Sequence, residues 1–236
     1  MTLKIDILTI FPGYFDTPLA QSVLGRAIAE GRCEVRIVDF RIFSADKHGK
    51  VDDKPFGGGP GMVLMLQPVV DALEATIDRA AAEGRKPRLI IATCRGERLK
   101  QAMVEDWVIS AEAGMIILCG HYEDFDARLY ELFDFEEVSL GDFVLSGGEP
   151  VALCIVDAVV RKLPGVVGNP GSVKEESFNT GMLDYPSYTR PAEFRGLKVP
   201  GVLMGGNHAL MEQWRRERAK ELTSEKRPDL LKGEDR

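Results

Sequence analysis

The sequence has 236 residues, 44% of them hydrophobic, and 30 Lys and Arg stand against 37 Asp and Glu for a formal net charge of −7. That composition excludes a disordered chain and weighs against a protein that grips nucleic acid by bulk electrostatics, while the length leaves room for one large domain with a small appendage. The cysteines, Cys33, Cys94, Cys119 and Cys154, lie far apart without a CxxC pair, which excludes a zinc ribbon and a disulfide framework and suits a reducing cytoplasm.

In chain order, Leu3 to Phe11 reads as a strand, with neither the basic stretch nor the long apolar run of a secretory signal. A helix follows over Pro18 to Gly31, burying Leu19, Val23, Leu24, Ala27 and Ile28. Glu34 to Phe40 reads as a strand, Gln67 to Glu83 as a helix, Arg88 to Cys94 as a strand and Glu97 to Glu105 as a helix. Gly114 to Cys119 is a strand, Asp124 to Phe133 a helix, Glu136 to Leu140 a strand, and Glu149 to Leu163 a helix with Pro150 in its first turn. The best apolar stretch, Val151 to Val160, is interrupted by Asp157 and is too short to span a bilayer, so a soluble, cytoplasmic protein is expected. Helices alternating with strands predict an α/β fold with a parallel sheet, whose ligands bind in loops at the strand carboxyl ends.

After Leu163 the breakers Pro164, Gly165, Gly168, Asn169, Pro170 and Gly171 set a domain boundary. Domains are therefore expected over 1–163, a linker over 164–185 and a helical C-terminal domain over 186–236, with a helix from Asn207 to about Leu222. Residues 121–150 hold nine acids against the single base Arg128, a balance of −8 that leaves the rest of the chain at +1. A solvated helix face over Asp124 to Asp134 is the simplest reading of that block.

Two glycine clusters, Gly57 to Gly61 and Gly141 to Gly148, fit neither the dinucleotide fingerprint nor the P-loop, so nicotinamide dehydrogenases and P-loop NTPases fall away. Glycine lets backbone N–H and C=O groups approach a ligand closely. The second cluster joins a strand to a helix, and two further glycine-bearing loops follow strands: Cys94-Arg95-Gly96-Glu97 and Cys119-Gly120-His121-Tyr122-Glu123. All three are expected to converge on one crevice. His48, His121 and His208 lack ligand spacing, and Cys94, Cys119 and Cys154 read as buried, inert thiols. Glu175 and Glu176 offer carboxylates on a loop, as general base or as plain exposed acids. Arg161 offers a cation for developing negative charge, or a solvent-facing arginine beside Lys162. Trp214 to Arg218 offers phosphate contacts, or a solvated helix face with Trp214 turned inward.

Five ordered segments resemble the TrmD family of knotted SPOUT tRNA (guanine-N1)-methyltransferases: Asp46 to Met62, Cys119 to Glu123, Ser139 to Glu149, Tyr188 to Pro191, and Gly206 to Ala209. The resemblance covers nearly the whole chain. It implies a trefoil knot made by the three strand-end loops, S-adenosyl-L-methionine as methyl donor, and N1 of the guanosine 3′ of the tRNA anticodon as acceptor. It further implies cofactor contacts at Gly120, at Ser139, Leu140, Gly141, Asp142, Phe143, Val144 and Leu145, and at Gly147 and Gly148. Tyr122, Glu123, Arg95 and Gly96 are implied nearby, with Asp184 reaching the methionine end. Glu176, where the family carries Asp before Ser-Phe, is implied as the base, and Arg161 as the group facing guanine O6.

The implied partners are the tRNA anticodon stem-loop and a second copy of the chain, in a homodimer whose active site is shared between subunits. Magnesium is a possible further cofactor with no locatable site. The sequence departs from the family pattern where Pro-Gln-Gly becomes Cys94-Arg95-Gly96, and where the Gly after Tyr-Glu becomes Asp124. Two other readings stay open. A knotted methyltransferase acting on another RNA is opposed by Glu176, Asp184 and the Tyr188 to Pro191 segment. A catalytically silent RNA-binding homologue would bind tRNA without transferring a methyl group.

Overall fold

The computed structural model describes residues 2–168 and 176–232, so Asn169, Pro170, Gly171 and Glu175 lie outside the described residues. Two compact units divide the chain, 1–168 and 169–236.

The first unit is built on five parallel strands. They are β1 (Leu3–Thr9), β2 (Cys33–Asp39), β5 (Arg88–Arg98), β6 (Met115–Cys119) and β7 (Glu136–Ser139), in the order β2-β1-β6-β5-β7. Short pairs β3 (Asp52–Asp53) and β4 (Val63–Leu64) form a separate antiparallel ribbon. The helices are α1 (Asp16–Leu19), α2 (Ser22–Ala29), α3 (Leu66–Ala82), α4 (Gln101–Ile109), α5 (Leu129–Leu132) and α6 (Glu149–Val160).

Successive strand side chains point to opposite faces, and both faces are apolar. Leu3, Ile5 and Ile7 of β1 join Met115, Ile117 and Cys119 of β6 beneath α2, α4 and α6. Leu8 of β1 with Ile116 and Leu118 of β6 pack on the other face, under Val69, Ala72 and Leu73 of α3. Helices on both faces explain why the central strands β6 and β5 carry continuous apolar runs, Met115–Cys119 and Leu89–Ala92, rather than alternating ones.

Four elements differ from the sequence expectation. The helix expected over Pro18 to Gly31 is split at Ala20 and Gln21 into α1 and α2, with Ser22 at a positive φ of 54°. The strand expected to end at Cys94 leaves the sheet after Ala92, and Glu97 and Arg98 then resume pairing with Val138 and Ser139. Glu97 is therefore strand, and α4 begins only at Gln101. The helix expected over Asp124 to Phe133 shrinks to α5, because Phe125 bridges to Leu64 and the Asp126 N–H donates to the Leu64 carbonyl at 3.1 Å. The acidic block is thus spread over the loops around α5, over α5, β7 and the loop after it, and the start of α6, and is not a single helix face.

In the second unit, the hairpin β8 (Glu193–Phe194) and β9 (Leu197–Lys198) precedes a long helix α7 (His208–Lys226) and a short α8 (Pro228–Lys232). Asn207 caps α7, its side-chain oxygen accepting from the Leu210 N–H at 3.2 Å. Tyr185 lies under the Arg215 guanidinium, 4.9 Å from it, and the Tyr188 and Trp214 rings are 6.2 Å apart, which seats the Tyr-Pro-Ser-Tyr segment along α7. No helix among the described residues is long and apolar enough to cross a membrane.

Candidate cofactor pocket

The carboxyl ends of β5, β6 and β7 open into a cavity of ≈ 410 Å³, within the range of small-molecule sites. From the β5 excursion it is lined by Cys94 and Arg95, and from the loop after β6 by Gly120, Tyr122 and Glu123. The loop between β7 and α6 contributes Ser139, Leu140, Phe143, Val144 and Leu145, and then Gly147 and Gly148. The three glycine-bearing loops therefore meet as the sequence predicts. Gly96, Gly141 and Asp142 lie in the same loops but do not line the cavity.

Several glycines are required by close backbone approach. A Cβ on Gly148 would stand 2.8 Å from the Cys119 Cα, and one on Gly96 would stand 2.4 Å from the Glu137 carbonyl carbon and the Val138 nitrogen. The loops are also stitched together by main-chain bonds. The Gly148 N–H donates to the Gly120 carbonyl at 2.9 Å, and the Leu99 N–H to the Ser139 carbonyl at 2.7 Å. The first glycine cluster also reaches the pocket, since a Cβ on Gly61 would fall 2.3 Å from the Glu123 carboxylate.

Beneath the loops lies a polar cluster that sequence reasoning missed. Glu149, the first residue of α6, is 2% exposed. It accepts from the Thr9 hydroxyl at 2.5 Å and lies 2.8 Å from His121 Nε2. The only signal in the sequence was an acid directly after Gly147-Gly148 at a helix start, where a capping acid is the ordinary reading.

At the rim, Arg95 and Asp124, the two departures from the family pattern, come together. Arg95 Nη2 lies 3.9 Å from Asp124 Oδ2, and Arg95 Nε donates to Glu137 at 2.8 Å. Burial and the neighbouring Asp124 carboxylate hold the Tyr130 phenol well above its ordinary pKa. Cys94 and Cys154 are exposed, contrary to the expectation of buried thiols, whereas Cys33 and Cys119 are buried. Burial pushes the Cys33 thiol up to about 11, and the Cys119 thiol well above its usual value.

Arg161 follows α6 directly, its N–H donating to the Asp157 carbonyl at 3.1 Å, and it does not line the cavity. At 1.5 Å per residue the thirteen steps from Gly148 along α6 carry it about 20 Å from that glycine. In the second unit Glu176 and Asp184 belong to one closed loop, in which the Asp184 N–H donates to Ser177 Oγ at 2.9 Å. The Leu183 N–H donates to Thr223 Oγ1 of α7 at 2.9 Å, which fixes the far side of that loop. In the Trp214 to Arg218 stretch, Arg215 pairs with Glu212 and Arg218 with Glu221, both at 2.6 Å, while Arg216 is exposed. Among the described residues, no three His, Cys, Asp or Glu side chains gather as a metal-ligand set.

Glycine-rich loops at the carboxyl ends of parallel strands, around a cavity of nucleoside dimensions, define an α/β protein that can hold a small ligand chiefly by main-chain groups. Residues 3–233 match the model of the family described as tRNA (Guanine-1)-methyltransferase TrmD, and the chain belongs to that family. It is 50% identical over 233 residues to the tRNA (guanine-N(1)-)-methyltransferase of Exiguobacterium sibiricum, covering 99% of this chain and 93% of the relative. Similar relatives of the same name occur in Levilactobacillus brevis, at 48% identity over 97% of this chain and 89% of the relative, and in Geobacter sulfurreducens, at 47% over 97% and 91%.

Proposed function

We propose that this chain transfers a methyl group from S-adenosyl-L-methionine to N1 of the guanosine at position 37 of tRNA, just 3′ of the anticodon. The observation that carries the reading is the convergence of three glycine-bearing strand-end loops on one cavity, in a chain whose family and relatives are named for methylating tRNA at guanine N1. When bound, S-adenosyl-L-methionine supplies a methyl group on a cationic sulfur. The main chain of Leu140 and of Phe143 to Leu145, with that of Gly120, suits the adenine, and Glu123 and Tyr122 suit the ribose side. Asp184 suits the charged amino group of the methionine end.

Guanine N1 carries a proton at neutral pH, and Glu176 is placed in the role of accepting it as the methyl is attacked. Arg161 offsets the negative charge that then grows on O6. Arg161 stands past the end of α6 away from the cavity and directly before the linker, which suits a site completed by a second copy of the chain. The 86% exposure of Val144, beside exposed Phe143 and Leu145, suits a face covered by that copy. In this reading 1–163 is the knotted cofactor-binding domain, 164–185 is a linker that closes over the site, and 186–236 is the tRNA-binding domain of a cytoplasmic enzyme.

The test is transfer of labelled methyl from S-adenosyl-L-methionine to an unmodified tRNA with guanosine at position 37, beside the same tRNA with adenosine there. Label on the guanosine transcript alone is the expected result. Label on neither, with tRNA still bound, would overturn methyl transfer in favour of a silent RNA-binding homologue.

A further inference from the structure

The loop after β6 contains two non-glycine residues with left-handed backbone, Tyr122 at φ 61° and Asp124 at φ 89°. Such conformations persist where the surroundings over-determine them. The main chain supplies part of the restraint: the Asp124 N–H donates to the His121 carbonyl at 3.1 Å and its carbonyl accepts from the Leu64 N–H at 3.0 Å. The rest comes from side chains of three other segments. Tyr130 Oη donates to Asp124 Oδ2 at 3.0 Å, and the Arg95 guanidinium lies 3.8 Å over the Tyr130 ring while Glu137 accepts from its Nε. Arg95 is thereby occupied on one face by an aromatic ring and along one edge by a carboxylate, and it lies near Asp124 on a third side.

Resting on the reading of the cavity as the S-adenosyl-L-methionine site, we infer that Arg95 and Asp124 act together as a positioning pair. Through Tyr130 they hold the loop that carries Tyr122 and Glu123 against the cavity, and they do not serve as separate contacts to the cofactor. The Arg95 charge is neutralised within the protein, so its part in binding is the geometry it imposes. Asp124 stands directly after Glu123, whose N–H donates to the Met62 carbonyl at 2.9 Å, so fixing Asp124 fixes the Glu123 backbone as well.

The experiment measures S-adenosyl-L-methionine binding by calorimetry, kcat and KM, and amide exchange of 120–124 in the ligand-free protein. The variants are Arg95→Gln, Asp124→Ala, Asp124→Asn and the double variant Arg95→Gln/Asp124→Ala. Each of Arg95→Gln and Asp124→Ala is expected to weaken binding about fivefold through KM for the cofactor with kcat held, the thermal midpoint being held in Arg95→Gln and lowered in Asp124→Ala, where Ala meets the positive φ. Asp124→Asn keeps the acceptor for Tyr130 and tolerates φ > 0, so it should lose about twofold or less. The double variant should be no weaker than the worse single one, because residues acting as a unit are non-additive.

Additive losses, or an unchanged affinity in Arg95→Gln, would overturn the pairing. Exchange of 120–124 should quicken in Arg95→Gln, and unchanged exchange counts against the pairing whatever the ligand. If the wild type binds no S-adenosyl-L-methionine, the reading of the cavity fails, and the exchange comparison still decides the pairing.

Discussion

His121 Nε2 and the Glu149 carboxylate stand 2.8 Å apart across 28 residues of sequence, and they join the loop after β6 to the first turn of α6. Thr9, at the end of β1, donates to the same carboxylate, and its oxygen also accepts from the Phe11 N–H at 2.8 Å. One buried acid thus ties the ends of β1 and β6 to the start of α6 beneath the cavity. Removing it leaves the buried Thr9 hydroxyl, and His121 at the cavity floor, without their shared partner. Glu149→Ala should lower unfolding free energy by about 2–4 kcal/mol in urea titration, and Glu149→Gln, which keeps an acceptor for Thr9, by less.

Gly96 and Gly58 make a controlled comparison. An Ala at 96 must displace the backbone of Glu137 and Val138, whereas a Cβ at 58 meets nothing within 4 Å and only the positive φ of 76° opposes it. Gly96→Ala should cost about 1–3 kcal/mol and weaken cofactor binding. Gly58→Ala should cost about 1 kcal/mol with binding retained, both read by thermal unfolding and calorimetry.

The thiols should separate by exposure. Cys33 and Cys119 are buried with raised pKa values, so less of each is thiolate at pH 8 than in an exposed cysteine, and both should resist alkylation until the chain unfolds. Cys94 lines the cavity and is exposed, so it should react in the native protein and be protected by S-adenosyl-L-methionine. Mass spectrometry after timed alkylation reads all three, and equal labelling of Cys94 with and without the cofactor would count against the cavity as its site.

Glu176→Gln and Arg161→Ala should each reduce turnover at least ~100-fold in single-turnover methyl transfer, with S-adenosyl-L-methionine binding retained. Near-normal turnover in either variant removes that residue from the mechanism.

Sharing of the site between copies has its own signature. Gly148→Ala, which spoils the cavity, and Glu176→Gln, which spoils the loop of the second unit, should both be inactive alone. If loop and cavity come from different subunits, equal mixing after subunit exchange restores about a quarter of wild-type activity, since half the dimers then carry one intact site. No recovery would place the two residues in the same subunit's site.

The parallel sheet was legible because β1 and β6 carry apolar side chains toward both faces, which leaves a dense local pattern. The cavity was legible because glycines follow three strands. The overlong helix expected over Asp124 to Phe133 shows the limit of that reading. Its acids and apolar residues have helical spacing, yet Phe125 and Asp126 are claimed by Leu64, a partner some sixty residues away that no local pattern announces. The Thr9–Glu149 bond spans 140 residues and was invisible for the same reason. The resemblance supplied roles for Glu176 and Arg161 that periodicity alone could not, because a loop acid and a helix-end arginine look like ordinary surface residues.

The strand β5 quits the sheet after Ala92 and returns at Glu97, and both residues register with the same partner, Val138. Departure and return at one neighbour make residues 93–96 a detachable insert, whose length can change without shifting the rest of the ladder. Gly96 is pinned by the Glu137 and Val138 backbone, and Arg95 by Tyr130 and Glu137. A lineage can therefore rewrite Thr93 and Cys94, and with them part of one wall of the cavity, while the sheet that carries it keeps its register.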